Sequence, residues 1–158
     1  MAKRVSKINM ENARITFRNF SGEPTKFNKA GGQRSFAVVL DQDLALQLKA
    51  DGWNVKWPKE DERYMDPGVE DPRLPYLAVK VSYMNTPPKA IMINGEGGSK
   101  TRLTEQTIGN LDFAQIENVD LIINPYHYEV NGNEGITAYL EAIYVTVVAD
   151  PFYEKYGI

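Results

Sequence analysis

The sequence predicts an all-β fold of the barrel type, β-rich with one main helix and a long C-terminal β-hairpin. Three observations carry this expectation. Two runs rich in Val, Ile, Leu and Tyr within residues 118–149 flank Asn131-Gly132-Asn133-Glu134-Gly135, and such a Gly/Asn break between apolar runs is a hairpin signal. In the second run Tyr139, Glu141, Ile143, Val145 and Val147 alternate with Ala138, Leu140, Ala142, Tyr144 and Thr146. Both faces are then largely apolar, which places the strand inside a sandwich or barrel. At about 3.3 Å per residue, a run of about a dozen residues reaches about 40 Å, and a strand of that length must curl, which favours a barrel.

A chain of 158 residues has the length of one domain with a core that needs no staples. It has no Cys, which removes disulfides, thiol catalysis and cysteine-type zinc sites and fits a reducing compartment. No apolar run approaches the about 20 residues of a membrane span. The basic start Met1-Ala2-Lys3-Arg4-Val5 has no apolar segment behind it, so no secretory signal is expected either. A soluble intracellular protein follows from these readings.

The net charge is −3, but it is unevenly spread. Residues 1–40 hold eight Lys/Arg against Glu11 and Glu23, a balance of +6, whereas residues 103–158 hold Lys155 against nine acids, a balance of −8. A local basic field suits a polyanion, although a dipolar surface serving only solubility reads the same way.

Taken in order, residues 1–10 read as a flexible basic arm. Residues 12–20 alternate, with Ala13, Ile15 and Phe17 on one side and Arg14, Thr16, Arg18 and Phe20 on the other. This is a half-buried strand with a basic outer face, suited to gripping phosphate and stacking a base, unless Phe20 folds into the core. Residues 21–34 form a basic Gly-rich loop with Phe27 at its centre, flanked by Lys26, Lys29 and Arg34. Residues 35–40 are a short buried strand. A helix of about ten residues follows, with Asp41 as N-cap, Asp43 in the first turn, an apolar stripe of Leu44, Ala45, Leu46 and Leu48, and Gly52 as the stop. Trp53, Val55 and Trp57 then share one side of an alternating segment, as core filling or as a stacking platform beside Lys56.

Residues 58–75 contain four prolines and are acidic, so an exposed excursion is expected. Residues 76–83 alternate strictly, with Leu77, Val79, Val81 and Tyr83 inward and Tyr76, Ala78, Lys80 and Ser82 outward. Residues 89–94 complete a hairpin with them. Residues 95–101 resemble a phosphate loop but fail its spacing, because the two required glycine positions hold Asn94 and Ser99. That turn still offers Lys100 and Arg102 to a phosphate backbone. Thr104 is expected to cap a short helix over residues 105–110.

No reaction can be assigned. The single His127 lies among tyrosines in mid-strand, and the carboxylates cluster at residues 60–71 without metal-ligand spacing. A small carboxylate-and-metal hydrolase is the least favoured reading.

Arg18-Asn19-Phe20, Phe27-Asn28 with Gly32, residues 52–56 (GWNVK), 76–79 (YLAV), 103–105 (LTE) and 118–126 (NVDLIINPY), and Ala138-Tyr139-Leu140 with Ile143-Tyr144-Val145 recur in one order along the chain. This ordered set, spanning residues 14–156, resembles the single-stranded-DNA-binding proteins of tailed bacteriophages. The resemblance implies an OB-type five-stranded antiparallel barrel and protection of single-stranded DNA during phage DNA replication and recombination in the cytoplasm of the infected host. It implies no cofactor and no enzymatic activity. Residues 11–150 would be the OB-type domain and 151–158 a short tail. That tail is only mildly acidic and ends in Ile158, so tail-mediated recruitment of partners does not carry over.

On this reading Arg14, Arg18, Lys26, Lys29, Arg34, Lys56, Lys80, Lys100 and Arg102 follow the DNA backbone, and Phe20, Phe27, Trp53, Trp57 and Tyr76 stack bases. The partners are single-stranded DNA and replication or recombination proteins; self-association is left open. The rival is a non-enzymatic β-barrel that binds protein, such as a virion or assembly component.

Overall fold

The computed structural model describes residues 5–24, 31–84, 86–150 and 152. Its strands are β1 (Ile8–Met10), β2 (Arg14–Asn19), β3 (Arg34–Val39), β4 (Val55–Lys56), β5 (Tyr76–Val81), β6 (Lys89–Asn94), β7 (Lys100–Leu103), β8 (Ile116–Val130) and β9 (Asn133–Val147), with one α-helix, α1 (Gln42–Asp51). The β-rich, one-helix architecture with a long C-terminal hairpin is as the sequence predicts.

The hairpin is built on a tight turn. Asn131 and Gly132 both have positive φ (53° and 81°), the pair of left-handed residues that a two-residue type I′ connection requires. The turn is therefore shorter than the five-residue break read from the sequence. It sets the register Val130 opposite Asn133 and Glu129 opposite Glu134, and the pairing continues to Ile116 opposite Val147.

All nine strands join one sheet, with the path β1-β8-β9-β5-β3-β2. The far edge of β9 is shared by two parallel partners. Val79 and Lys80 of β5 pair with Ala138 and Tyr139, and β6 pairs with residues 142–147, carrying β7 on its other side. The hairpin expected between residues 76–83 and 89–94 does not form: β5 and β6 do not pair with each other, and each lies parallel to β9 instead. The sheet curls but stays open, and the segment between β1 and β2 is tied to β8: the Ala13 N–H donates to the Val119 carbonyl (2.8 Å) and the Asn12 N–H to the Asp120 carboxylate (3.0 Å). Ile8–Met10, read from the sequence as part of a loose arm, instead pair with Leu121–Ile123.

Inside the curl lie Phe20, Phe36, Leu40, Trp53, Leu77, Ile123 and Ile143, each almost wholly buried. Full burial of one such apolar side chain is worth about 1.5–3 kcal/mol, so this cluster dominates the stability. Helix α1 closes one end through Ala45 and Leu48. Its caps are those the sequence names: the Asp41 carboxylate accepts from the Leu44 N–H (2.7 Å), and Gly52 sits at φ 105°. Leu46, counted in the apolar stripe, faces solvent.

Two bulges change which side chains face the core. On β2, Thr16 pairs with Ala37 and Asn19 with Ser35, so Phe17 and Arg18 together oppose Phe36. Phe17 takes φ 50° there, and the alternation reverses. On the hairpin, Ile122 pairs with Ala142 but Ile123 with Leu140. Ala138 and Leu140 therefore face inward before the bulge and Ile143 and Val145 after it, which splits each of the two faces read from the sequence.

The helix expected at residues 105–110 is a 3₁₀ turn at Ile108–Asp112. The Thr107 hydroxyl accepts from the Thr104 N–H (2.7 Å), which delays the turn by a few residues. Lys100–Leu103, read as part of a Gly-rich turn, are strand β7.

Candidate nucleic-acid interface

Strand β5 organises the site. Leu77, Val79 and Val81 are buried, while Tyr76, Ala78 and Lys80 lie on the opposite face, the alternation that the sequence shows. Paired residues share a face, so the register extends this surface across the sheet. Tyr76 is flanked by Val39, which pairs with Arg14, and by Lys56 of β4. Lys80 is flanked by Ser35 and by Tyr139. Tyr139 in turn faces Asn124, and its neighbour Thr137 faces Tyr126. The result is one open face running from β2 to β8.

Its rings are paired. Phe17 lies edge-on to Tyr76 with centroids 5.4 Å apart, and Tyr126 edge-on to Tyr139 at 5.8 Å. Phe17 is 68% and Tyr126 59% exposed. Leaving large rings in water on a strand face has no folding advantage. Arg14, Lys56 and Lys80 are exposed beside them. Trp57, 37% exposed, stands next to Lys56 and donates its indole N–H to the Gln42 side-chain oxygen (3.2 Å).

The candidate residues therefore divide. Arg14, Lys56, Tyr76 and Lys80 converge on this face, and Trp57 follows Lys56 just beyond β4, against Gln42 of α1. Lys100 and Arg102 are exposed on β7, where they pair with Ile93 and Ile91; beyond β6, Lys89 sits over the Tyr144 ring at 5.6 Å. They form a separate basic patch. Lys26, Phe27 and Lys29 lie outside the described residues.

Two stacking candidates are corrected, and two arginines prove to be held by backbone carbonyls. Phe20 is fully buried and stacked on Phe36 (5.0 Å), because the β2 bulge turns it inward. Trp53, 1% exposed, fills the core between α1 and the hairpin, its backbone N–H donating to the Leu48 carbonyl (3.0 Å). Neither can stack a base. Arg18 donates from one guanidinium nitrogen to the carbonyls of Leu111 and Ala114 (2.8 Å each). Arg34 donates to the Phe20 carbonyl (2.6 Å) and lies over the Tyr83 ring. Both arginines brace the fold. Asp112 completes the brace by accepting from the N–H groups of Phe20 (2.6 Å) and Ser21 and from the Ser21 hydroxyl (2.7 Å).

Sequence reasoning missed Phe17, Tyr126 and Tyr139. Phe17 was assigned to the core by strict alternation, and only a bulge reverses that. The Tyr126–Tyr139 pair depends on hairpin register, which a two-residue turn at Asn131-Gly132 would have supplied. Among the described residues no group of three or more His, Asp or Glu is arranged to hold a metal ion, and no helix is long and apolar enough to cross a membrane.

The family model of the phage ssDNA-binding domain matches residues 1–158. The chain belongs to this family. The fold agrees: the single-stranded DNA-binding protein of bacteriophage Enc34, solved in complex with ssDNA, superposes with a TM-score of 0.51 at 13% identity, covering 92% of this chain and 89% of that chain. A C-terminally truncated form of the Enc34 protein gives a TM-score of 0.52 at 14% identity, covering 92% and 88%. No curated protein matches by sequence. The phage ssDNA-binding domain is thus an OB-type, mostly β fold here, as the resemblance implies, but with an open nine-stranded sheet that includes parallel pairings in place of a five-stranded antiparallel barrel.

Proposed function

We propose that this phage ssDNA-binding domain holds single-stranded DNA on the open face of β2, β3, β5 and β9, with little sequence preference and without chemistry. The observation that carries this is the exposed Phe17–Tyr76 ring pair set beside Lys56 and Lys80. Rings accept any base by stacking, and lysines follow the phosphates, so the combination tolerates sequence. Arg14 and Trp57 extend the surface at its edges. The role is protection of single strands during phage DNA replication or recombination in the cytoplasm of the infected host, with replication or recombination proteins as partners.

The test is charge reversal at Lys56 and Lys80 together, followed by titration with oligo-dT at several salt concentrations. Affinity is expected to fall, and the salt slope to lose about 0.7 per phosphate contact removed. Unchanged affinity and slope would move the site elsewhere on the sheet.

A further inference from the structure

We infer that the bound strand crosses the sheet transversely, from Phe17 and Tyr76 over Lys80 to Tyr139 and Tyr126, so that the C-terminal hairpin supplies a second base-stacking station. This rests on the reading just given and goes beyond it by assigning a direction and two residues of the hairpin.

Register carries the argument. Lys80 stands directly opposite Tyr139, and it is the bridge between the two ring pairs. Tyr139 and Tyr126 share its face through their partners Asn124 and Thr137. Both ring pairs have the same edge-to-face form, with one ring of each largely in solvent. Tyr126 touches the Tyr139 ring beside Asn124 and Thr137 yet stays 59% exposed and fills no core, so its open ring face is explained by a partner that stacks on it.

Spacing and charge agree. β2 and β8 are separated on this face by four strand steps through β3, β5 and β9, about 19 Å at about 4.8 Å per step. That span accommodates several nucleotides, within the about 4–16 that one OB-type domain covers. The next acid along β9, Glu141, is engaged by Lys7 at 2.5 Å, so its charge is compensated at the border of the track.

The test compares Tyr126→Ala, Tyr126→Phe and Phe17→Ala with the unaltered chain, using oligo-dT of increasing length and circular dichroism to confirm folding. Tyr126→Ala is expected to weaken binding about ten-fold or more for oligonucleotides that span both ring pairs, and much less for shorter ones. Tyr126→Phe should bind as the parent does, and Phe17→Ala should weaken binding at every length. If Tyr126→Ala binds all lengths like the parent while Phe17→Ala is impaired, the hairpin lies off the path and the transverse track is wrong, though the function stands. Loss of affinity on charge reversal at Lys100 and Arg102, with Tyr126→Ala unaffected, would reroute the strand along β6 and β7 and overturn the inference. Failure of the unaltered chain to bind any single strand would overturn the functional reading itself.

Discussion

The Phe17 ring meets Tyr76 edge-on at 5.4 Å and an interplanar angle of 64°, although strict alternation along β2 would put Phe17 inside the core. One bulge produces this contact. It holds Phe17 at φ 50°, a conformation costing of order 1–3 kcal/mol for a residue with a Cβ. The strain persists because Arg18, beside Phe17 in the bulge, is anchored to Leu111 and Ala114, and Phe20 is pinned through Asp112. The same brace that inverts the strand delivers an aromatic ring to the surface.

Phe17 and Phe20 should therefore separate function from stability. Phe17→Ala is expected to reduce single-strand affinity by about 1–3 kcal/mol with the melting temperature nearly unchanged. Phe20→Ala should cost about 3–5 kcal/mol of stability, measured by denaturant unfolding. Reversed outcomes would mean that the bulge is misplaced.

Arg18 and Lys80 should likewise part. Arg18→Gln loses two charge-assisted bonds, each worth about 1.5–3 kcal/mol, and should lower the unfolding midpoint while leaving the salt slope of binding intact. Lys80→Ala should leave the midpoint alone and make the slope shallower. Paired unfolding and binding curves on both variants decide this.

The two tryptophans should report differently in fluorescence. Trp53 is buried with its indole N–H unpartnered among the described residues, so its emission should be blue-shifted and insensitive to DNA. Trp57 is partly open beside Lys56. Quenching by oligo-dT should be lost in Trp57→Phe and kept in Trp53→Phe. Quenching that survives removal of Trp57 would place the strand away from β4.

The excursion between β4 and β5 is built around Tyr64, with Arg63 and Arg73 over its ring at 5.3 and 5.0 Å. Hydrogen bonding to the Arg63 side chain lowers the Asp61 pKa from 3.8 to about 2. A lowered carboxylate pKa gives stability that is complete above the unfolded value and is lost as pH falls through the folded one. The Asp61–Arg63 arrangement should thus hold at pH 5 and come apart between 3.8 and about 2. Carboxyl-carbon NMR titration should find the lowered midpoint, and Arg63→Ala should return it to the ordinary value.

Much of the fold was legible because local chemistry decided it. Asp41 and Gly52 bound the helix through capping and a left-handed stop, and β5 alternates without interruption. What sequence could not show was phase. At Phe17 and again between Leu140 and Ile143 a bulge reverses the alternation, and nothing in the adjacent residues announces either. Arg18 and Arg34 look like free cations in a basic segment. Their partners are backbone carbonyls, those of Arg18 more than ninety positions away, which no local pattern reveals. Lys56, Tyr76 and Lys80 were legible because they lie on undistorted strands.

The most direct measurement is equilibrium binding of the intact chain to oligo-dT and to a duplex of equal length across a range of salt. The account predicts saturable binding to the single strand, weaker binding to the duplex, and log K falling against log salt with a slope near −0.7 for each phosphate contact. Equal affinity for both forms, or no binding at low salt, would contradict it.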